Sequence, residues 1–133
     1  MYMLDTNICI YVIKHRPESV LQRIRENLSD GLCISVITLA ELRHGVEKSQ
    51  YKEKNEAALL KFLSILDVLP FDDYAAIEYG KICSELQKQG MPIGTMDMLI
   101  AAHARSLGYT LVTNNTREFM RVEGLRVEDW LNR

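Results

Sequence analysis

Short apolar runs alternate with longer segments of helical spacing, and each run stops abruptly. Tyr2-Met3-Leu4 stops at Asp5, Leu32-Cys33-Ile34 at Ser35, Asp67-Val68-Leu69 at Pro70, and Tyr109-Thr110-Leu111-Val112 at Thr113. Runs this short and continuously apolar suit strands buried on both faces, whereas a half-exposed strand would alternate. Strands that alternate with helices form a parallel sheet covered on both faces. No internal repeat, low-complexity stretch or linker interrupts the pattern, so a single domain over residues 1–133 is expected.

Between the strands, helices are expected over Thr6 to Lys14, capped by Thr6 or Asn7, and from Pro17 to the Ser29-Asp30-Gly31 turn. Another begins near Ser35. The polar run from Glu47 to Asn55 reads as a bend or hairpin tip, with a new helix from Ala57. Asp72 or Asp73 caps a long helix that ends at Gly90, and a further helix runs from about Thr95 to Gly108. A short helical piece follows Asn114-Asn115-Thr116. Leu125-Arg126-Val127 suits an edge strand, with Trp130 packing the end of the chain.

A net charge of −2 excludes a chain that binds nucleic acid through its overall field; contact with nucleic acid needs local basic patches or metal ions. Cys9, Cys33 and Cys83 have neither disulfide nor zinc spacing, and small buried hydrophobes in a reducing compartment account for them. No apolar run approaches membrane-spanning length, and Asp5 interrupts the apolar start. A cytosolic location without membrane attachment is expected.

Acidic residues recur at one kind of place. Asp5 ends the first strand, Glu41 lies in the helix after the second, and Asp97 lies in the first turn of the helix before the fourth. Asn114, Asn115 and Glu118 follow that strand. In a parallel sheet the strand ends and the following helix starts share one edge, where open α/β folds place their chemistry. Each residue also has a plainer role. Asp5 can cap the first helix, Glu41 can stand exposed, and Asp97 can complement a helix dipole. Yet Asp97 is the only charge between Gln89 and His103, and a buried carboxylate needs a partner from elsewhere. Converging carboxylates without Cys or His favour a hard cation, Mg²⁺ or Mn²⁺, which suits phosphoryl chemistry.

Other chemistries lack their motifs. No P-loop, dinucleotide-binding glycine pattern or G-x-S-x-G elbow is present. His15, His44 and His103 form no catalytic set by spacing, and His103 suits packing or hydrogen bonding. Lys14-His15-Arg16, Arg43-His44, Lys48, Lys52 and Lys54 form either a solvated face or a track for a phosphate backbone.

Taken together, the motifs resemble the PIN-domain ribonucleases, in particular the VapC toxins of bacterial type II toxin–antitoxin modules. The resemblance rests on Met3-Leu4-Asp5-Thr6-Asn7, on Ser35 to Leu42, on Pro92-Ile93-Gly94 with Asp97 and Ile100 to Ala104, and on Leu111 to Asn115 with Glu118-Phe119. It implies a three-layer α/β/α sandwich with a short, mainly parallel sheet, and a metal-dependent endoribonuclease. Asp5, Glu41 and Asp97 match the family's acidic metal-binding positions. At the fourth position Asn115 replaces the aspartate common in relatives, and Glu118 is the candidate to supply that charge. Thr6 and Thr113 match supporting polar residues, and Asn7 completes the opening motif.

The resemblance also implies a VapB-type antitoxin whose C-terminal segment covers the active-site groove. It further implies a homodimer, and operator DNA bound only through the antitoxin complex. Arg117-Glu118-Phe119 and Glu128-Asp129-Trp130 are similar to VapC proteins that cut initiator tRNA in the anticodon stem-loop. The expected reaction is hydrolysis of an RNA phosphodiester, leaving a 5′-phosphate and a 3′-hydroxyl, with no side-chain nucleophile. The rival expectation is a catalytically silent binding module with the same fold, acting through its antitoxin and operator DNA.

Overall fold

A computed structural model describes residues 1–131. In chain order the elements are β1 (Tyr2–Leu4), α1 (Thr6–Ile13), α2 (Glu18–Asn27), β2 (Leu32–Ser35), α3 (Val36–Glu47), α4 (Lys52–Leu63), β3 (Asp67–Leu69), α5 (Asp73–Gln89), α6 (Thr95–Leu107), β4 (Thr110–Val112), α7 (Thr116–Phe119) and β5 (Val127–Glu128). A 3-10 turn over Leu28–Asp30 follows α2. The sheet order is β3-β2-β1-β4-β5, and every pairing is parallel. The α/β architecture with a parallel sheet between two helical layers is therefore as expected.

Successive strand residues point to opposite faces, and this sorts the apolar runs into two cores. Leu4, Ile34 and Val112 face α1 to α4, packing with Ile8, Val20 and Phe62. Met3, Cys33 and Leu111 face α5 to α7, packing with Ile82, Ile100 and Phe119. Both faces are buried, which is why the strands are apolar throughout rather than at alternate positions.

The element starts have local causes. Asp5, not Thr6 or Asn7, caps α1: its Oδ1 accepts the Ile8 N–H at 2.9 Å. The strand leaves Asp5 in extended backbone, and its carboxylate is then the nearest acceptor for the free first-turn donors. Ser35 caps α3 and Asp72 caps α5, through Ile37 N–H at 3.1 Å and Ala75 N–H at 3.0 Å. Gly90 closes α5 with φ of 64°, as a left-handed C-cap should. Gly31 turns the chain into β2 with φ of 85°, and a Cβ there would lie 2.1 Å from the Met1 sulfur.

Two expectations move. The bend expected in the polar run is confined to residues 48–51, and helix α4 begins at Lys52 rather than near Ala57. Lys52 to Glu56 are adequate helix formers, and Glu56 is held to α3 by two hydrogen bonds from Arg43 at 2.5 and 2.6 Å. The edge strand is Val127–Glu128, pairing with Leu111 and Val112, and does not begin at Leu125. Trp130 is fully buried, its ring edge-on to Tyr2 at 5.1 Å, with the Arg23 guanidinium over its face. Among the described residues no helix is long and apolar enough to cross a membrane.

Candidate functional site

The register places the site. Leu4 pairs with Val112 and Met3 with Cys33, so one step further along the strands Asp5 stands between Ser35 and Thr113. This row is the carboxyl edge of the sheet. Asp5 is 4% exposed, and its backbone N–H continues the ladder to the Val112 carbonyl at 3.0 Å. Its carboxylate accepts from Ile8 N–H and is hydrogen-bonded to the Thr113 hydroxyl. The capping role and the edge position therefore belong to the same side chain.

Burial pushes the Asp5 carboxyl up to about 6, against the two hydrogen bonds that favour its charged form. The negative charges of Asp97 and Glu41 act in the same direction as burial and are part of that rise. Asp97, half-buried in the first turn of α6, is raised by burial and then by the charges of Glu118 and Glu41; its protonated form can donate a hydrogen bond to Glu118, which raises it further. The four acids expected from the sequence thus act on one another, although Asp5 and Glu118 are 113 residues apart and lie on different elements.

Each acid has a support. Glu41 Oε1 accepts the Thr6 hydroxyl at 2.5 Å, and Thr38 Oγ1 lies 3.5 Å from Thr6 Oγ1. Asn115 donates from its amide to Glu118 Oε2 at 2.9 Å, and its backbone N–H donates to Thr113 Oγ1 at 2.9 Å. Thr113, fully buried, therefore joins the Asp5 carboxylate to Asn115 at the start of α7, the helix that carries Glu118. Asn115 accordingly braces the fourth acid instead of presenting a charge. Asn7 is exposed in the first turn of α1. Gly94 caps α6, and a Cβ built there would come 3.6 Å from Asp97 Oδ2.

The donor set is carboxylate oxygen alone, the chemistry of a hard-cation site. Among the described residues no ion pair includes Asp5, Glu41, Asp97 or Glu118. Nor, among them, do any three acidic, histidine or cysteine side chains close on one point tightly enough to grip an ion. The neighbouring acids are near enough to raise the pKa of Asp5 and of Asp97, and the set is too spread to chelate as it stands. A divalent cation suits their charge.

The basic segments divide. Arg43 pairs with Glu56 and Lys52 with Glu47, so both are engaged within the chain. Lys14, His15 and Arg16 are exposed just beyond α1, roughly 12 Å along that helix from Asp5 at 1.5 Å per residue. Arg117 is exposed beside Glu118, and Arg121 donates to the Pro92 carbonyl at 3.0 Å. Two features were not anticipated. Ser35 is bonded to His103, and Asn114 donates to the Tyr11 hydroxyl at 3.3 Å while its buried Oδ1 has no partner. Ser35 carried a signal, since it stands where Asp5 and Thr113 stand, at the end of an apolar run.

A family model described as PIN domain matches residues 2–125. The chain is 55% identical over 130 residues to the tRNA(fMet)-specific endonuclease VapC of Shigella flexneri, covering 97% of each chain. Its fold superposes with a TM-score of 0.93 on a crystal structure of VapBC2 from Rickettsia felis bound to a DNA fragment from their promoter, at 42% identity over 97% of this chain and 98% of that one. With DNA-bound VapBC from Salmonella typhimurium the TM-score is 0.92 at 50% identity, covering 97% of each chain.

Proposed function

The chain belongs to the PIN-domain family and, within it, to the VapC ribonucleases, and from that premise we propose that it is the toxin of a toxin–antitoxin pair. It is an endoribonuclease that uses Mg²⁺ or Mn²⁺ to cut tRNA, with the initiator tRNA anticodon stem-loop as the preferred substrate. The observation that carries this reading is the set of four mutually interacting carboxylates at the sheet edge, with no cation from the described residues to balance them. A buried carboxylate crowded by other acids destabilises a fold, which is the expected signature of a site built for a ligand.

Asp5, Glu41 and Asp97 would hold the cation, which supplies charge neutralisation at the phosphate and a lowered pKa for water. The chain's own residues orient these acids. Ile8 N–H and the Thr113 hydroxyl fix Asp5, and the Thr6 hydroxyl fixes Glu41. The Asp97 and Glu118 carboxyls stand adjacent, and Asn115 holds Glu118 through its amide. Exposed Arg117 and the Lys14-His15-Arg16 corner are the groups available to meet RNA phosphates.

A VapB-type antitoxin is the proposed partner, with operator DNA reached only through the complex, as the relatives' crystal structures with VapB and DNA support. An apolar groove between α1, α3 and α4, lined by Ile10, Ile13, Leu42 and Leu59, runs up to Glu41. An antitoxin segment seated there would reach the acids.

The test is cleavage of total tRNA by the purified chain, free of antitoxin, in Mg²⁺, Mn²⁺ or EDTA, beside Asp5→Ala. A single tRNA cut only with metal and only by the parent supports the proposal. Folded parent protein that cuts nothing and shows no Mn²⁺-dependent rise in melting temperature would leave a binding module with the same fold.

A further inference from the structure

His103 is 2% exposed, yet it lies on α6 among apolar neighbours rather than among the acids. Its Nδ1 is 2.7 Å from Ser35 Oγ, and its ring stands edge-on to Phe71 at 5.4 Å and 73°. The Pro70 carbonyl is also hydrogen-bonded to the ring. The proton positions follow from the partners. Ser35 Oγ already accepts the Ile37 N–H, so its hydroxyl proton is free to bridge to Nδ1. Nε2 then carries the ring proton and donates to Pro70. Burial holds the imidazole below its usual pKa, with the Asp72 charge and the Pro70 carbonyl opposing less strongly, so the ring is neutral near pH 7.

These bonds join three segments of the chain. Ser35 is the last residue of β2, stands beside Asp5 in the edge row and caps α3, the helix that carries Glu41. Pro70 follows β3. His103 belongs to α6, the helix that carries Asp97. Among the described residues, the His103–Ser35 bond is the one side-chain hydrogen bond between α6 and either β2 or α3. Burying an imidazole costs more than burying a hydrocarbon of similar size, so core packing alone does not call for one.

We propose that His103 is a positioning residue, whose bond to Ser35 sets where Asp97 stands relative to Asp5 and Glu41. It thereby governs cation affinity and the rate of RNA cleavage. This deepens the proposed function and rests on it. Partners that orient ligating side chains typically contribute tenfold or more to metal affinity or activity, and the same scale is expected one bond further out.

The experiment compares the parent with His103→Leu, His103→Asn and Ser35→Ala. Leucine fills the space without the bond, asparagine keeps an acceptor near the position of Nδ1, and alanine removes the bond from the other side together with the Ser35 cap of α3, a contribution that the double variant separates. Mn²⁺ affinity by calorimetry and the kcat and KM for tRNA cleavage are measured on protein of checked fold. His103→Leu is expected to lose roughly tenfold in Mn²⁺ affinity and in kcat, with KM little changed. His103→Asn is expected to recover most of the loss. Ser35→Ala should reproduce the loss, and adding His103→Leu to it should cost little more. Should the leucine variant fail to fold, the asparagine and Ser35→Ala comparison decides alone. A folded His103→Leu or Ser35→Ala protein that binds Mn²⁺ and cleaves like the parent overturns the assignment, as does an asparagine variant no better than leucine. A parent that neither binds Mn²⁺ nor cleaves overturns the enzymatic reading itself, and the positioning role with it.

Discussion

Asp5→Asn should stabilise the metal-free protein, and only above a definite pH. The folded chain holds the Asp5 carboxyl at about 6, whereas an ordinary aspartate titrates near 3.8. Between those values the folded state binds a proton that the unfolded state has released. Stability contributed by this group is therefore full below about 3.8, falls as pH rises through the window, and stays low above about 6. The gap corresponds to about 3 kcal/mol at 1.36 kcal/mol per pH unit. Asparagine keeps the cap, since its Oδ1 can accept the Ile8 N–H as the carboxylate does. It removes both the buried charge and the repulsion from Asp97 and Glu41. The expected gain at pH 8 is about 2–3 kcal/mol, on the order of 10 °C in melting temperature for a chain of this size. Near pH 4 the gain should vanish. The assay is denaturant unfolding of parent and variant in EDTA from pH 4 to 8, reading the difference so that the other carboxylates cancel. A pH-independent difference, or a variant no more stable than the parent at pH 8, would refute the claim that Asp5 is buried charged against its neighbours.

Thr6→Val keeps the shape and removes the hydroxyl that holds Glu41 Oε1. It should lower kcat for tRNA cleavage and Mn²⁺ affinity by roughly tenfold while leaving the melting temperature within a few degrees, and unchanged kinetics would remove Thr6 from the supporting set. Trp130→Ala empties a fully buried site against Tyr2 and should cost about 3–5 kcal/mol in unfolding free energy by urea titration; a loss below 1 kcal/mol would mean the C-terminal segment is not part of the core.

The order of elements was legible because both cores draw on the same short strands. Leu4, Ile34 and Val112 had to be apolar for one layer, and Met3, Cys33 and Leu111 for the other. Asp5 was legible as an acid at a strand end, and Glu41, Asp97 and Glu118 as acids on the helices near that edge; the influence of Asp97 and Glu41 on Asp5, and of Glu118 and Glu41 on Asp97, agrees with that placement. The supports were harder to read. The bond from Asn115 to Glu118 depends on a four-residue helix whose start no periodicity marks, and the reach of His103 to Ser35 spans 68 residues. By type Asp5, Thr6 and Asn7 are all ordinary caps, so the sequence leaves the choice among them open. Asp5 wins because the extended end of β1 holds its carboxylate over the Ile8 N–H. The start of α4, earlier than Ala57, was hard to read because a solvated helical turn and a polar loop have similar composition.

Strand order has a consequence for the sequence of events at the ribosome. β1 is made first but lies in the middle, and its second neighbour, β4, is made only at residues 110–112. Until then one edge of β1 has no strand beside it, Thr113 has not reached Asp5, and Glu118 has not been translated. A nascent chain that already contains Asp5, Glu41 and Asp97 thus lacks the row that sets them. Whatever the finished protein cuts, an interrupted one should spare, because the last strands to emerge complete the site begun by the first.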